Sequence, residues 1–167
     1  MNISNKELLV LSTKIESEGE DFYAALAKNV SDPEVKEFLL LMAREEANHE
    51  VQFKNLLDEK GDDTYGWEND SNLRELIDTH YQTDIFPKLE DVIEHLPGFD
   101  GILKAIESAI EAEKVSCEFY GLLQQACTNM ESKALLVLLE KVEQEHLERV
   151  EKIRDRYLEK SSEGKNR

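Results

Sequence analysis

The chain has 167 residues, the length of one ordinary domain, and 40% of them are apolar, enough to pack a core without disulfide staples. Thirty-seven acidic residues against twenty basic ones give a net charge of -17, which repels phosphate backbones and anionic lipid, so nucleic acid and membrane surfaces are excluded as leading partners. Cys117 and Cys127 form neither a CxxC nor a CxxH pair, which excludes a zinc finger, a thioredoxin-like site and a four-cysteine iron centre. Ten residues of continuous helix would hold these two thiols about 15 Å apart, beyond disulfide reach, so both read as reduced thiols of a cytoplasmic protein. The opening MNISNKELLV has no basic region followed by a long apolar run, and no stretch has the length and apolarity of a membrane span.

Seven glycines, three prolines and long periodic stretches rich in Glu, Leu, Lys and Ala predict an all-α protein. The first helix is expected from a capping box at Ser4 and Glu7 and runs to about Asn29. A second box, Ser31 with Glu34 and Pro33 in the first turn, opens a helix to about Lys60, where Gly61 ends it. Residues 61–98 are richer in acids and turn formers, and Leu73 to Tyr81 and Lys88 to Leu96 suggest one or two short helices before Pro97 and Gly98. A third long helix follows from about Asp100 to Cys127, and a third box, Thr128 with Glu131, starts a fourth that continues to about Glu159. The predicted architecture is a four-helix bundle with a long crossover between helices two and three, one domain over residues 1–160 and a disordered tail over 161–167.

The two halves repeat. An offset of 97 positions superposes Glu16 on Glu113, Phe22 and Tyr23 on Phe119 and Tyr120, Glu46 on Glu143 and His49 on His146, and ten of the 38 positions from 16 to 53 are identical. The core stripe of helix two reads Leu39, Met42, Glu46, His49, Phe53, Leu56, and that of helix four Leu136, Leu139, Glu143, His146, Val150, Ile153. In helix one it reads Leu9, Ser12, Glu16, Gly19, Tyr23, Leu26, and in helix three Ile106, Ala109, Glu113, Ser116, Tyr120, Leu123. Carboxylates and imidazoles at the centre of an apolar stripe are costly unless paired or bound to a cation, and the small residues one turn either side of Glu16 and Glu113 leave space there. Four carboxylates and two imidazoles are the donor mix for iron(II) or manganese(II) in a two-metal site, and zinc would fit the same ligands. Glu from two helices and Glu-x-x-His from the other two is the known ligand pattern of ferritin-like di-metal bundles. With 26 glutamates in 167 residues, one Glu-x-x-His says little. Its weight comes from the two motifs together, each 30 positions after a Glu that itself precedes a Tyr by seven.

The strings IESEGEDFY and AIEAEKVSCEFY, followed by EEANHE and VEQEHLE, resemble the rubrerythrin branch of the ferritin-like superfamily over residues 4–158. The resemblance implies that Glu16 and Glu113 are terminal ligands, that Glu46 and Glu143 bridge two iron ions, and that His49 and His146 bind one ion each. It also implies a homodimer and peroxide reduction in oxidative-stress defence, with dioxygen as the other oxidant. Two departures stand out. The four-cysteine rubredoxin-like domain is lacking, so electrons would come from a separate donor such as a rubredoxin. The family's additional redox-switching Glu, one turn beyond the helix-three ligand, is replaced by Ser116 or Cys117, with Glu118 a further step round.

Other readings stand beside these. The six residues could form a metal-free polar core in a helical interaction module whose acidic crossover meets a basic partner, or the site could serve an iron-oxidising storage protein. Tyr23 and Tyr120 either hydrogen-bond the ligating carboxylates or simply pack. Cys117 and Cys127 read as small buried hydrophobes rather than redox groups, and the acidic run from Asp58 to Asp63 as solvated loop rather than an iron-collecting site. Trp67, His80 and His95 follow no pattern and are assigned no function.

Overall fold

Residues 2–58, 64–80, 83–95 and 98–165 are described in the computed structural model of this chain. Two antiparallel helix pairs make up the bundle. The first is α1 (Asn5–Asn29) with α2 (Pro33–Asp58), and the second is α5 (Phe99–Ala126) with α6 (Met130–Lys165). Between the pairs runs the crossover, which carries α3 (Ser71–His80) and α4 (Leu89–His95). The ends of the two crossover helices agree with the expected spans to within two residues, apart from Tyr81 and Leu96, which lie outside the described residues. The expected end of the second helix at Lys60 and the acidic run after Asp58 also lie outside them. No helix among the described residues is long and apolar enough to cross a membrane.

Each long helix exists because its buried stripe recurs at helical spacing, and the structure buries that stripe on all four; only Leu9 remains half-buried. Ser4 caps α1 as expected, its hydroxyl oxygen accepting from the Glu7 amide at 3.1 Å. At the other two boxes the cap lies one residue later than predicted. Asp32 Oδ1 accepts from the amides of Glu34 at 3.0 Å and Val35 at 3.4 Å, and Asn129 Oδ1 accepts from Ser132 at 2.9 Å. Pro33 as the first helical residue leaves position 32 as the cap. Asp32 and Asn129 are themselves 97 apart, so the repeat extends to the true caps. Thr128, relieved of capping, donates its hydroxyl to the Tyr65 carbonyl at 3.0 Å and thereby ties the crossover to the bundle.

The other correction concerns the C-terminus. α6 continues to Lys165, so residues 161–165 are helical where a disordered tail is expected. From Met130 onward no glycine or proline interrupts the chain before Gly164. Just before residues 161–165, Arg156 and Lys160 reach back to Asp32 and Glu34 at the start of α2, and Tyr157 stacks on Phe99 with ring centroids 4.6 Å apart.

Two apolar clusters fill the bundle. One contains Leu8, Ile15, Phe53, Trp67, Phe119, Leu123, Leu136 and Leu139, and the other Phe22, Leu26, Leu39, Met42, Phe86, Ile106, Val150 and Ile153. Along each long helix the Glu and His residues of the stripe fall between the two. The crossover is fastened over both. Trp67, fully buried and stacked on Tyr65, donates its indole N–H to Asn5 Oδ1 at 3.1 Å. Gly66 passes beneath the end of α5 at φ 109°, where a Cβ would collide with the Ala126 carbonyl. Further along, Glu18 Oε2 accepts from the amides of Ile85 at 2.8 Å and Phe86 at 3.2 Å, which seats Phe86 against Phe22 and Tyr23. His80 and His95 are exposed.

The Lys160 ammonium holds the Asp32 carboxyl down at about 2, from an ordinary 3.8. A carboxyl depressed on folding adds stability that is present above its unfolded value and is lost as the pH falls through the folded one. Asp32→Ala is therefore expected to cost about 1 kcal/mol in urea unfolding at neutral pH, and Ser31→Ala close to nothing. The Asp32→Ala difference should shrink as the pH falls from 3.8 towards about 2.

Candidate metal centre

Glu16 on α1, Glu46 and His49 on α2, Glu113 on α5, and Glu143 and His146 on α6 meet at the middle of the bundle, each no more than 4% exposed. Their ligand atoms fall into two groups, Glu16, Glu46, His49 and Glu143 in one and Glu46, Glu113, Glu143 and His146 in the other, with the atoms of each group within 4.8 Å of one another. Glu46 and Glu143 belong to both groups. All six residues singled out from the sequence are thus brought together.

Both imidazoles present Nδ1 to the carboxylates. His49 Nδ1 lies 2.7 Å from Glu143 Oε1, 3.4 Å from Glu16 Oε2 and 3.5 Å from Glu46 Oε2. His146 Nδ1 lies 3.3 Å from Glu46 Oε1, 3.8 Å from Glu143 Oε2 and 4.0 Å from Glu113 Oε2. Despite this crowding, Glu16 Oε2, Glu113 Oε2, Glu143 Oε1 and both Nδ1 atoms are buried without a hydrogen bond of proper geometry. Even the 2.7 Å contact of His49 with Glu143 is closeness without a directed bond. Buried polar atoms normally have partners. Five converging donors without one fit a pair of cations, and their oxygen and nitrogen chemistry suits a first-row divalent metal.

Space for the cluster comes from its small neighbours. A Cβ on Gly19 would stand 3.2 Å from Glu46 Oε1 and 3.3 Å from its Cγ and Cδ, so glycine lets that carboxylate lie against α1. Ser116, its counterpart at the 97-residue offset, is buried as well.

The two tyrosines are hydrogen-bond donors and not mere packing. Each reaches across the bundle: Tyr23 on α1 donates its hydroxyl to Glu113 Oε1 on α5, and Tyr120 on α5 donates to Glu16 Oε1 on α1. Of the two readings, hydrogen bonding to the carboxylates and simple packing, the structure has the first, and the repeat makes the exchange reciprocal. Each bond leaves the second oxygen of its carboxylate turned to the centre.

Sequence reasoning missed Glu45 and Arg149. Glu45 Oε2 accepts from His146 Nε2 at 2.8 Å and from Arg149 Nη1 at 2.8 Å. Neither residue lies on a core stripe, and a Glu beside another Glu carries no signal in so acidic a chain. The residues facing the missing switching glutamate are equally clear. Ser116 is buried, Cys117 half-buried and Glu118 exposed, so none of these three brings a buried carboxylate to the centre. Burial, then the charges of Glu143 and Glu113, pushes the Cys117 thiol up to about 12, so it stays protonated and unreactive. Cys127 is buried and donates weakly to the Asn129 carbonyl at 3.4 Å.

A four-helix bundle with a long crossover and two ligand groups sharing two carboxylates defines the ferritin-like class of di-metal carboxylate proteins. Within that class, the chain belongs to the rubrerythrin family, whose profile matches residues 7–154. The fold resembles that of a hypothetical protein from Pyrococcus furiosus, with a TM-score of 0.73 and 25% identity over 94% of this chain and 92% of that one. It also resembles a provisionally named ferritin-like diiron-carboxylate protein from Thermotoga maritima, with a TM-score of 0.69 and 20% identity over 92% of this chain and 96% of that one. Among curated proteins none matches.

The electrostatics follow from burial. Desolvation, followed by the charges of Glu46 and Glu143, raises Glu113 well above 4.5; desolvation followed by Glu16 raises Glu46, and desolvation followed by Glu46 raises Glu143. Burial on its own would lower both histidines, but the surrounding carboxylates outweigh it. Glu143, Glu16 and Glu46 push His49 up to about 12, and Glu45 and Glu46 push His146 up to about 11.

All five groups thus bind protons more tightly in the folded apo chain than in the unfolded one, so the stability they add is present below their unfolded values and is lost as the pH rises. In chelator, the thermal midpoint should fall as the pH climbs from 6.5 towards about 11, and fall less steeply when His49 and His146 are both replaced by Gln. Tyr23→Phe leaves Glu113 Oε1 buried without its donor and should cost the apo protein about 1–3 kcal/mol in chemical unfolding. By the repeat, Tyr120→Phe should cost a similar amount.

Proposed function

We propose that this protein is a non-haem di-iron redox protein that reduces hydrogen peroxide, or dioxygen, with electrons from a separate donor protein such as a rubredoxin. The observation that carries this reading is the sharing of Glu46 and Glu143 between two ligand groups, which suits two metal ions held side by side. In this reading Glu16, Glu46, His49 and Glu143 would hold one ion and Glu46, Glu113, Glu143 and His146 the other, with Glu46 and Glu143 common to both and each imidazole offering its Nδ1. When bound, two iron(II) ions would each give one electron, and these two electrons with two protons from solvent take one peroxide to two waters without release of a radical.

The chain's own residues do the rest. Tyr23 and Tyr120 fix one oxygen of each terminal carboxylate and so aim the other at the centre. Phe53, packed edge-on to Tyr120, and Phe86, packed edge-on to Tyr23, help to exclude water on the two sides. Both tyrosine hydroxyls are raised well above 10, by burial first and then by the charge of Glu113 at Tyr23 and of Glu16 at Tyr120, so they remain proton-bearing donors. Cys117 and Cys127 cannot supply the four thiolates of a rubredoxin-type iron site, so in this reading electrons reach the bundle from outside it.

Anaerobic iron(II) loading followed by desalting is expected to leave two iron ions per chain, and one equivalent of peroxide to produce an oxo-bridged ferric absorption band. Oxidation no faster than that of free iron(II) would overturn the reading. Glu46→Gln and Glu143→Gln should each weaken both metal positions, and Glu113→Gln mainly one, as counted by metal analysis.

A further inference from the structure

The halves of the site match in their six ligands and in both tyrosines, but not in what stands behind the imidazoles. Glu45 accepts from His146 Nε2 at 2.8 Å, and the same carboxylate oxygen accepts from Arg149 Nη1 at 2.8 Å, so Glu45 is held from two sides. The position related to Glu45 by the 97-residue offset is Val142, and that related to Arg149 is Gln52. Valine has no acceptor side chain, and among the described residues the close polar contacts of His49 all run through Nδ1. Gly19 and Ser116 differ between the halves too, but neither carries charge.

We infer that the two metal positions are unequal, and that Glu45, braced by Arg149, makes the His146 position the one that fills first. The inference rests on the metal-binding reading of the site. A carboxylate behind a ligating imidazole fixes the ring with its proton on the far nitrogen, turns the near nitrogen's lone pair to the metal and makes that nitrogen a stronger donor. The two donor sets are otherwise alike, each a terminal glutamate, the two shared glutamates and an Nδ1, so this partner decides the order. Glu45 and Arg149 are positioning residues, since they act through His146. The consequence for redox chemistry is an ordered pair, with one ion anchored and the other more easily lost or exchanged.

The experiment is a titration of the metal-free full-length chain with zinc(II), followed by the imidazole nitrogen signals of its four histidines in NMR, with step affinities taken from competition against a chelator. The signals of His146 should move with the first equivalent and those of His49 with the second. Glu45→Ala should weaken the first step by about 10- to 100-fold and spare the second, bringing the two together. Glu45→Gln, which keeps an acceptor without the charge, should fall between Glu45→Ala and wild type. Glu45 is 27% exposed, and circular dichroism of each variant checks that the fold is kept. The inference is overturned if His49 fills first, or if Glu45→Ala weakens both steps equally or neither. Failure of wild type to bind any zinc would instead overturn the reading of the site itself.

Discussion

Four carboxylates buried beside only two imidazoles are the constraint around which this bundle is built. Taking one carboxylate out of water is costly, and four within a few ångströms repel one another as well. Relief comes from protons or from cations, and the raised proton affinities of Glu46, Glu113 and Glu143 show how strongly the apo arrangement draws on protons. A pair of divalent ions would remove that strain and satisfy the orphaned oxygens and nitrogens in one step. The stability of the fold and its capacity to bind metal are therefore opposite sides of one balance.

The surroundings are arranged to make the cluster tolerable. Apolar clusters above and below it supply the hydrophobic stabilisation that a continuous core would otherwise provide. Gly19 yields the volume that Glu46 needs. The tyrosine exchange joins α1 to α5 at the level of the site, so the two helix pairs are held together by polar bonds just where apolar packing is interrupted. The crossover adds a further tie, because Glu18 anchors the backbone at Ile85 and Phe86, and Phe86 packs on the ring of Tyr23. A segment that reads as a mere connection thus supports one of the groups that orient a ligand.

Internal repetition explains the symmetry of the centre, and its lapses explain where the symmetry ends. The six ligands, the two tyrosines and even the caps Asp32 and Asn129 obey the offset of 97. Glu45 and Val142 do not, and the far sides of the two imidazoles differ accordingly. The helical extension of α6 has no counterpart on α2, and the cations just before it are spent on the turn between α1 and α2.

The four long helices and their approximate spans, the long crossover and the six clustered residues could be read from the amino-acid sequence. Helical periodicity is local, and a Glu or His that interrupts an apolar stripe marks itself by being expensive. What only the tertiary structure decided depends on atoms far apart in the chain. Tyr23 meets Glu113 across 90 residues, Tyr120 meets Glu16 across 104, and His146 meets Glu45 across 101. No local pattern encodes those distances. The caps show the same division on a smaller scale. Spacing points to Thr128, but a contact of Thr128 with the Tyr65 carbonyl, made only once the crossover is seated, leaves the capping to Asn129. The periodicity of burial is written residue by residue, whereas the choice of hydrogen-bond partners waits on how the helices pack.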